Sequence, residues 1–348
     1  MSAWKPATTW KNAIRLYHNP GTSWKAVCGT VSSSGNFGWL SRNVQARAVH
    51  LAQSVAWLAA CAIPLGLSDR QTWAKPRPAN KQSRILMHRY QSNGIPYYTF
   101  ESLNSFPELL QAVSTRHGGV SQGPFSSLNL GRTVGDKADA VETNYQRLAG
   151  ALGIDRMHLT TTWQVHGNLV LVADEANRGT RLGQADGIAT GKPGVPLIQR
   201  YADCTPIILY DPEHCAVALI HAGWRGTLAG AAVAGVQAMV RAFGSVPEAL
   251  VAGIGPAIGP CCYEVGPEVA TQARTTFGSK VADSWLTLGS NNRPYFDLWS
   301  ANFWQLQHVG VRHVELAGIC TACHRDEFYS HRGDYGHTGR FAMVAMIK

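Results

Sequence analysis

The feature of this sequence that most restricts its fold is an almost uninterrupted apolar run at residues 215–220, which ends in His221 and a glycine-rich turn. An apolar run without alternation predicts a strand that is buried on both faces of a sheet. The amphipathic pattern that follows predicts a helix over residues 227–243, with Thr227 as its N-cap. A buried strand that leads directly into a helix is typical of α/β proteins.

From Met87 onward the chain continues to alternate between strand-like and helix-like patterns. Asp139 and Glu142 have the spacing of a capping box and predict a helix over residues 140–152. The other predicted elements are strands at 157–165, 168–173, 197–201, 206–210, 249–254, 314–319 and 341–347 and a helix at 297–309. Without internal repeats or low-complexity blocks, residues 87–348 are predicted to form one mixed α/β domain.

Residues 1–86 differ from the rest of the chain in charge and in pattern. They carry 11 Lys and Arg against one acid, Asp69, and six of the eleven Trp. The other 262 residues carry 20 Lys and Arg against 21 Asp and Glu, so the main body lacks the excess positive charge of a nucleic-acid-binding protein. Because residues 1–86 show almost no periodicity, we expect a disordered extension, or translated sequence upstream of a natural start at Met87.

One stretch of the extension, residues 49–67, approaches the length of a membrane helix. His50, Gln53, Ser54 and Pro64 argue against a membrane span, and we expect no membrane partner. Some 48 residues precede the stretch, whereas a secretory signal begins with a short basic segment. We therefore expect a cytoplasmic protein.

Eight cysteines, at positions 28, 61, 204, 215, 261, 262, 320 and 323, are expected to be reduced in such a compartment. Cys320, Cys323 and His324 match the CxxCH pattern of covalent haem attachment, but five residues are a weak signal in a chain without an export signal. A structural zinc at Cys320 and Cys323 would need two further ligands, and the sequence has no second CxxC.

Three residues with metal-binding chemistry stand where predicted strands end or break. His166 lies in the turn QVHG, Cys204 in the break ADCTP, and His221 at the end of the buried strand. Two imidazoles and one thiolate suit Zn²⁺, and Cu²⁺ also accepts this set, with a fourth position left open for catalysis. The gaps of 38 and 17 residues do not form a compact motif, so each residue could instead be an ordinary core or hydrogen-bonding residue.

The turn Gly223-Trp224-Arg225-Gly226 combines free backbone N–H groups, a fixed positive charge and a helix N-terminus. Such a turn can bind phosphate, or it can be a tight connection with Trp224 packed in the core. It is not a Walker loop, because no Gly-Lys-Ser/Thr sequence follows. Arg116, Asn129 and Asp186 stand in other glycine-flanked loops, where they can equally serve as turn residues.

Taken together, these segments resemble the YfiH-like purine nucleoside phosphorylase family, also called the multicopper polyphenol oxidase or laccase domain family and related to peptidoglycan editing factors. The resemblance covers Arg116 to the C-terminus, and residues 1–86 have no counterpart in it. Its segments, in order, are TRHGGVSQGPFSSLNLG, QVHG, ADGIAT, ADCTPIILYD, HAGWRGT, GIGPAIGPCCYEVG, ICTACHRDEFYSHRGD and GHTGRFAMVAMI.

The resemblance implies a layered α/β/β/α sandwich with a metal pocket at the ends of strands. It implies that His166, Cys204 and His221 bind zinc or copper, and that the CTxC segment at Cys320 is not a haem site. The implied activities are phosphorolysis of adenosine, inosine and S-methyl-5'-thioadenosine to ribose 1-phosphate and free base, and deamination of adenosine to inosine.

Within these activities, we predict roles for the residues near the metal. Asp203 or Asp186 would move protons during deamination, together with Cys204 as a catalytic residue. The substrate and phosphate would be bound by a further set, namely Arg116, Asn129, Arg225, Arg332 and Arg340.

Two other functions stay open at this point. Cys204, with His221 or His166 as base, fits a hydrolase that edits peptidoglycan precursors. A single copper would allow polyphenol oxidation, although the chain lacks the HxH pairs of multicopper oxidases.

Overall fold

The computed structural model describes residues 13–17, 25–29, 87–290 and 292–348. The chain divides into two compact units, Met1–Trp73 and Ala74–Lys348. The first unit contributes one antiparallel pair, β1 (Ala13–Tyr17) with β2 (Lys25–Gly29). The predictions made for the rest of residues 1–86, including the apolar stretch 49–67, lie outside the described residues.

The second unit contains the remaining strands and all the described helices. Its strands are β3 (His88–Ser92), β4 (Ile95–Thr99), β5 (Leu109–Ser114), β6 (Thr161–Trp163), β7 (Val170–Val172), β8 (Arg181–Gln184), β9 (Gly187–Thr190), β10 (Leu197–Tyr201), β11 (Thr205–Asp211), β12 (Ala216–Ala222), β13 (Val251–Ile254), β14 (Leu286–Leu288), β15 (Pro294–Phe296), β16 (His313–Leu316) and β17 (Phe341–Ile347). Its α-helices are α1 (Ala138–Leu152), α2 (Trp224–Leu228), α3 (Ala231–Phe243), α4 (Pro267–Phe277), α5 (Ser279–Ala282) and α6 (Leu298–His308). Short 3₁₀ turns lie at Gly123–Phe125, Arg156–His158 and Pro247–Ala249.

Two large sheets organise the second unit. The first is antiparallel throughout, with the strand order β10-β17-β5-β4-β3. The second has the order β16-β13-β11-β12-β9-β7 and is mixed, because β13–β16 and β7–β9 are parallel pairs. The strands β14–β15 and β6–β8 form small two-stranded sheets.

The apolar side chains show how the two sheets and the helices stack. Between the sheets, Tyr201 and Phe341 of the first sheet share a core with Ile208 and Leu219 of the second. On the outer face of the second sheet, α3, α4 and α6 form another core with its buried strands. On the outer face of the first sheet, α1 forms the third core. The predicted layered α/β/β/α sandwich is therefore confirmed.

Local signals placed most of the predicted elements correctly but misjudged some of their ends. They did not predict a further set of elements, namely β3, β4, β5, β8, β9, β14, β15, α4 and α5. Helix α1 begins at Ala138, with Lys137 at the N-cap position. Asp139 therefore lies inside the first turn and does not cap the helix. Glu142, the other half of the predicted capping box, pairs with Arg132 and Arg156 at 2.8 Å each. The capping box is therefore wrong, because the carboxylate of Glu142 finds two guanidinium partners.

The predicted helix over 227–243 is two helices. Gly230, with φ of +78°, breaks the helix between α2 and α3, a conformation that favours glycine. Thr227 is therefore not an N-cap; it is buried inside α2, and its hydroxyl accepts a hydrogen bond from Asn302 of α6 at 3.0 Å.

Substitution of Gly253 tests how closely the two sheets pack. Gly253 is buried in β13, and a Cβ there would lie 2.8 Å from three ring carbons of Phe100, which is fully buried. Overpacking of this kind costs about 1–3 kcal/mol, so Gly253→Ala is expected to lower the free energy of unfolding by that amount. Chemical denaturation measures the change.

Gly150→Ala is the matched control. Gly150 lies on the exposed side of α1, where an added Cβ meets nothing within 4 Å. Alanine in a helix is favoured over glycine by up to about 1 kcal/mol, so this variant is expected to gain stability. Equal effects of the two substitutions would contradict the described packing.

Candidate metal centre and substrate site

His166 lies in the turn that follows β6, and its φ of +62° places it in the left-handed region. The backbone N–H groups of Val165, His166 and Gly167 all donate to the carboxylate of Asp186, at 3.1, 2.9 and 2.6 Å. Three donors on one carboxylate fix the turn. The unusual backbone of His166 thus has a direct physical cause.

Asp186 also positions His221, the histidine of β12. The fully buried Asp186 carboxylate bonds to Nδ1 of His221 at 2.8 Å, and its carbonyl accepts from the His221 N–H at 2.7 Å. Burial raises the pKa of Asp186, but the hydrogen bond and charge of His221 and the N–H donors of the turn outweigh it and lower the pKa. The carboxylate is therefore ionised and holds both histidines.

Cys204 lies where the chain crosses from the first sheet to the second. Strand β10 ends at Tyr201 and β11 begins at Thr205, whose register partner is Ala222 of β12. This register brings the connection close to His221. Asp203, with φ of +81°, makes the sharp turn that precedes the cysteine.

The carboxylate of Asp203 points toward the loop that follows β16. It accepts hydrogen bonds from the hydroxyls of Thr321 and Ser330, at 2.6 and 2.7 Å, and from the N–H of Arg332, at 2.6 Å. Its carbonyl accepts from the N–H of Ile258 at 2.9 Å. Asp203 therefore joins the Cys204 turn to two other loops.

The structure brings the three predicted metal ligands together. The ligand atoms of His166, Cys204 and His221 all lie within 4.8 Å of one another. The two imidazole rings are 5.0 Å apart and nearly perpendicular. His166 is exposed, Cys204 half-buried and His221 buried, so the cluster opens to solvent on one side.

Cys204 and His221 stabilise each other's charged form. Burial raises the pKa of the Cys204 thiol, but the charge of His221 and the hydrogen bonds of both histidines lower it to about 6. Burial lowers the pKa of His221, but Cys204 and Asp186 raise it to about 9. The site therefore favours a thiolate, which is the form that binds metal ions.

The donor set and its surroundings fit a metal ion with three protein ligands. Because Nδ1 of His221 is bonded to Asp186, Nε2 is the nitrogen left for the ion, the arrangement usual for metal-binding histidines. A Cβ on Gly223 would lie 2.8 Å from Sγ of Cys204 and 3.3 Å from the ring of His166. Glycine at this position therefore keeps the turn close to the trio.

Three of the predicted phosphate-binding arginines lie on segments that contact Cys204 or Asp203: the turn of Gly223 carries Arg225, and the loop that follows β16 carries Arg332 and Arg340. Burial lowers the pKa of Arg340, while the charges of Cys204 and Asp203 oppose the shift. Arg225 and Arg332, both exposed, stack over the rings of Trp224 and Tyr263, at 4.2 and 5.2 Å. Burial also raises the pKa of Tyr263, a shift that Cys204 and Asp203 reinforce and Arg332 and Arg225 oppose.

The other two predicted substrate residues are held by loop contacts. Arg116 donates to the carbonyls of Ser126 and Arg325, at 2.9 and 2.6 Å, and its guanidinium lies 4.6 Å from the ring of Tyr329. Asn129 is fully buried, and its amide oxygen accepts from the N–H of Arg340 at 2.8 Å. Asn129 therefore reaches the site through the backbone of Arg340.

Tyr263 is a site residue that sequence reasoning missed. It follows Cys262 in the segment GPCCYEVG, which is one of the motifs of the family resemblance and carries no predicted site residue. Nothing local in the sequence indicates that its ring lies beneath Arg332, whose Nη1 donates to the carbonyl of Glu264 at 2.7 Å.

Comparison with known families agrees with the motifs. The model of the family described as multi-copper polyphenol oxidoreductase laccase matches residues 110–348, more than half of the chain. The purine nucleoside phosphorylase YlmD of Geobacillus stearothermophilus is 38% identical over 251 residues, which are 70% of this chain and 90% of the relative. A purine nucleoside phosphorylase of Bacteroides thetaiotaomicron is 36% identical over 257 residues, 71% of this chain and 95% of the relative.

Solved structures show the same fold. The crystal structure of YlmD from Geobacillus stearothermophilus has a TM-score of 0.70 and 33% identity, covering 76% of this chain and 100% of that one. That of the Bacillus licheniformis protein YfiH has a TM-score of 0.69 and 31% identity, covering 74% and 98%. The predicted resemblance is confirmed. The chain therefore belongs to the laccase-like family of polyphenol oxidoreductases, whose relatives named here are called purine nucleoside phosphorylases.

Proposed function

We propose that this protein is a zinc-dependent purine nucleoside phosphorylase. It would cleave adenosine, inosine and S-methyl-5'-thioadenosine with inorganic phosphate to give ribose 1-phosphate and the free base. The observation that carries the proposal is the trio of His166, Cys204 and His221, with the turn that carries Arg225 and with Arg340 beside it. The names of the relatives support the substrate class.

The trio would hold the ion, and Zn²⁺ bound there would act as a Lewis acid and would lower the pKa of a bound water molecule. Copper accepts the same donors, but Zn²⁺ fits a reaction without electron transfer. Asp186 positions the ligands by bonding His221 and the turn of His166. The exposed side, at His166, is where substrate would enter.

The arginines would bind phosphate and direct it to the ribose. Phosphorolysis passes through a transition state in which the ribosyl centre is positive and faces an anion, so fixed positive charge must hold the phosphate. Arg340 interacts electrostatically with Cys204 and Asp203, and the N–H of Arg332 donates to Asp203. Arg225 lies two residues after Gly223, which packs against Cys204. Arg116 and Asn129 would support this set from the neighbouring loops.

Deamination of adenosine to inosine is proposed as a second activity of the same site. It requires an activated water and a group that moves protons to the leaving amine. Asp186 and Asp203 stay the predicted proton carriers. Of the two, Asp186 is joined directly to a ligand of the trio, whereas Asp203 is bonded to Thr321 and Ser330.

One observation favours a second candidate function, a thiol hydrolase that edits peptidoglycan precursors. Cys204, His221 and Asp186 form a chain of thiolate, imidazole and carboxylate, the arrangement of a cysteine nucleophile with its base and orienting acid. Removal of metal by a chelator would leave such a hydrolase active, and iodoacetamide would inactivate it. A zinc phosphorylase would lose its activity in the chelator.

Polyphenol oxidation with one copper is the remaining alternative. Multicopper oxidation needs several coppers with clustered histidine ligands. Among residues 87–290 and 292–348, His166, Cys204 and His221 form the one potential metal cluster that contains histidine. One copper at this trio could oxidise phenols in vitro, and metal analysis of the purified protein distinguishes this case.

Cys204→Ala tests the trio. We expect kcat/KM for adenosine phosphorolysis to fall by more than about 100-fold. Mutation of a residue that is hydrogen-bonded to a metal ligand lowers metal affinity or activity about 10- to 100-fold, and loss of the ligand itself costs more. Chromatography of adenosine, adenine and inosine, with and without phosphate, measures the products. Cys215→Ala, at an exposed cysteine outside the trio, is the control and should keep full activity. An active Cys204→Ala protein would refute the proposal.

Asp186→Asn tests the positioning role of the carboxylate. The affinity of the trio for Zn²⁺ is expected to fall about 10- to 100-fold, because the amide cannot accept from His221 as a carboxylate does. Competition with a chromophoric chelator measures the affinity. Asp211→Asn is the matched control, since Asp211 is also fully buried and bonds Nδ1 of His214 at 2.8 Å. Equal losses in both variants would indicate a general effect on folding.

Arg225→Ala tests phosphate binding. Loss of one charged hydrogen bond costs about 1.5–3 kcal/mol, so we expect KM for phosphate to rise about 10- to 100-fold. The KM for nucleoside should change much less. Arg241→Ala, at an exposed arginine in the last turn of α3, should leave both constants unchanged. An unaltered KM for phosphate would remove Arg225 from this role.

A further inference from the structure

A second group of potential ligands lies outside the trio and has no part in the proposed reaction. The Sγ atoms of Cys261, Cys262, Cys320 and Cys323 all lie within 4.8 Å of one another. Two of these cysteines come from the loop after β13, and two come from the loop after β16. The missing partners of the CxxC at Cys320 are thus an adjacent Cys-Cys pair some sixty residues earlier in the chain.

The spacing of the sulfur atoms fits a tetrahedral ion. The Sγ of Cys323 lies 3.6 Å from that of Cys261 and 3.4 Å from that of Cys262. In a tetrahedron with Zn–S bonds of about 2.3 Å, the sulfur atoms are about 3.8 Å apart. Four cysteines in this arrangement supply a complete coordination shell, which is typical of structural zinc sites.

The surroundings of Cys320 provide an independent observation. The backbone N–H of Gly259 donates to Sγ of Cys320 at 3.2 Å, a bond of the kind that stabilises a thiolate ligand. A Cβ on Gly259 would lie 2.6 Å from the ring of Trp299 and 3.2 Å from Cβ of Cys320, so this approach favours glycine. The ring of His324 is bonded to the carbonyl of Cys320 at 3.0 Å and is not a fifth ligand.

We propose that Cys261, Cys262, Cys320 and Cys323 form a second metal site, a closed tetrathiolate site that takes Zn²⁺. Sulfur ligands in tetrahedral geometry favour zinc over hard cations such as Mg²⁺ or Ca²⁺. With all four positions filled by protein, the ion has no place for substrate. Its role is structural.

This ion would stabilise the loops that support Cys204. Next to the cluster, Ala257 pairs with Cys320 in an isolated bridge, and the N–H of Ile258 donates to the carbonyl of Asp203. On the other loop, Thr321 and Ser330 donate to the carboxylate of Asp203. The second site therefore clamps both loops that hold the turn before Cys204.

Zinc content and sulfur coordination test the second site in the full chain. In the double variant His166→Ala/Cys204→Ala, the trio is disabled while all four cysteines of the cluster remain. We expect mass spectrometry of metals to find about one zinc per chain in this protein, and X-ray absorption at the zinc edge to show four sulfur ligands and no nitrogen. This readout depends neither on enzymatic activity nor on the proposed function.

Cys261→Ser/Cys323→Ser is the complementary variant, with Cys215→Ser as the matched control. The wild-type chain and the control should carry about two zinc ions, and the cluster variant about one. Two findings would overturn the proposal: a His166→Ala/Cys204→Ala protein that purifies without zinc, or a disulfide within the cluster detected as a mass loss of two hydrogens without reductant. If the cluster variant fails to fold, the coordination measurement on the trio variant still decides.

Discussion

The buried carboxylate of Asp186 is the interaction on which the rest of the site depends. One carboxylate accepts hydrogen bonds from three consecutive backbone N–H groups around His166 and from the ring of His221. A buried carboxylate without partners would be costly, and these four donors keep it ionised. Two histidines that lie 55 residues apart in the sequence are therefore fixed relative to one another before any ion binds.

The layered fold positions Cys204, the third residue of the trio. The chain passes from the first sheet to the second between Tyr201 and Thr205, and Cys204 lies in this passage. The turn is sharp, so the two loops that bond Asp203 must hold it in place. The loops that carry the cysteine cluster are therefore bonded to Asp203, in the passage between the two sheets where Cys204 lies.

Local patterns in the sequence predicted about half of the strands of the second unit and the three residues of the trio, and the resemblance predicted the layered fold. They could not show which distant residues pair, because periodicity reports the face of a single element. The sequence around Asp186 does not indicate that His221 is its hydrogen-bond partner. The sequence around Cys320 likewise does not indicate that Cys261 lies close to it. The break of the helix at Gly230 was missed for a related reason: a glycine within an apolar-faced pattern is tolerated in a helix, and its φ is set by the packing of α2 and α3.

The trio positioned by Asp186 is proposed to be active only with its metal. The most direct measurement removes metal from the full chain, restores Zn²⁺ in steps up to about two equivalents per chain, and follows the phosphate-dependent release of adenine from adenosine at each step. We expect no release from the metal-free protein, and a rate that rises with the occupancy of His166, Cys204 and His221. Full activity of the metal-free protein would contradict a metal-dependent site.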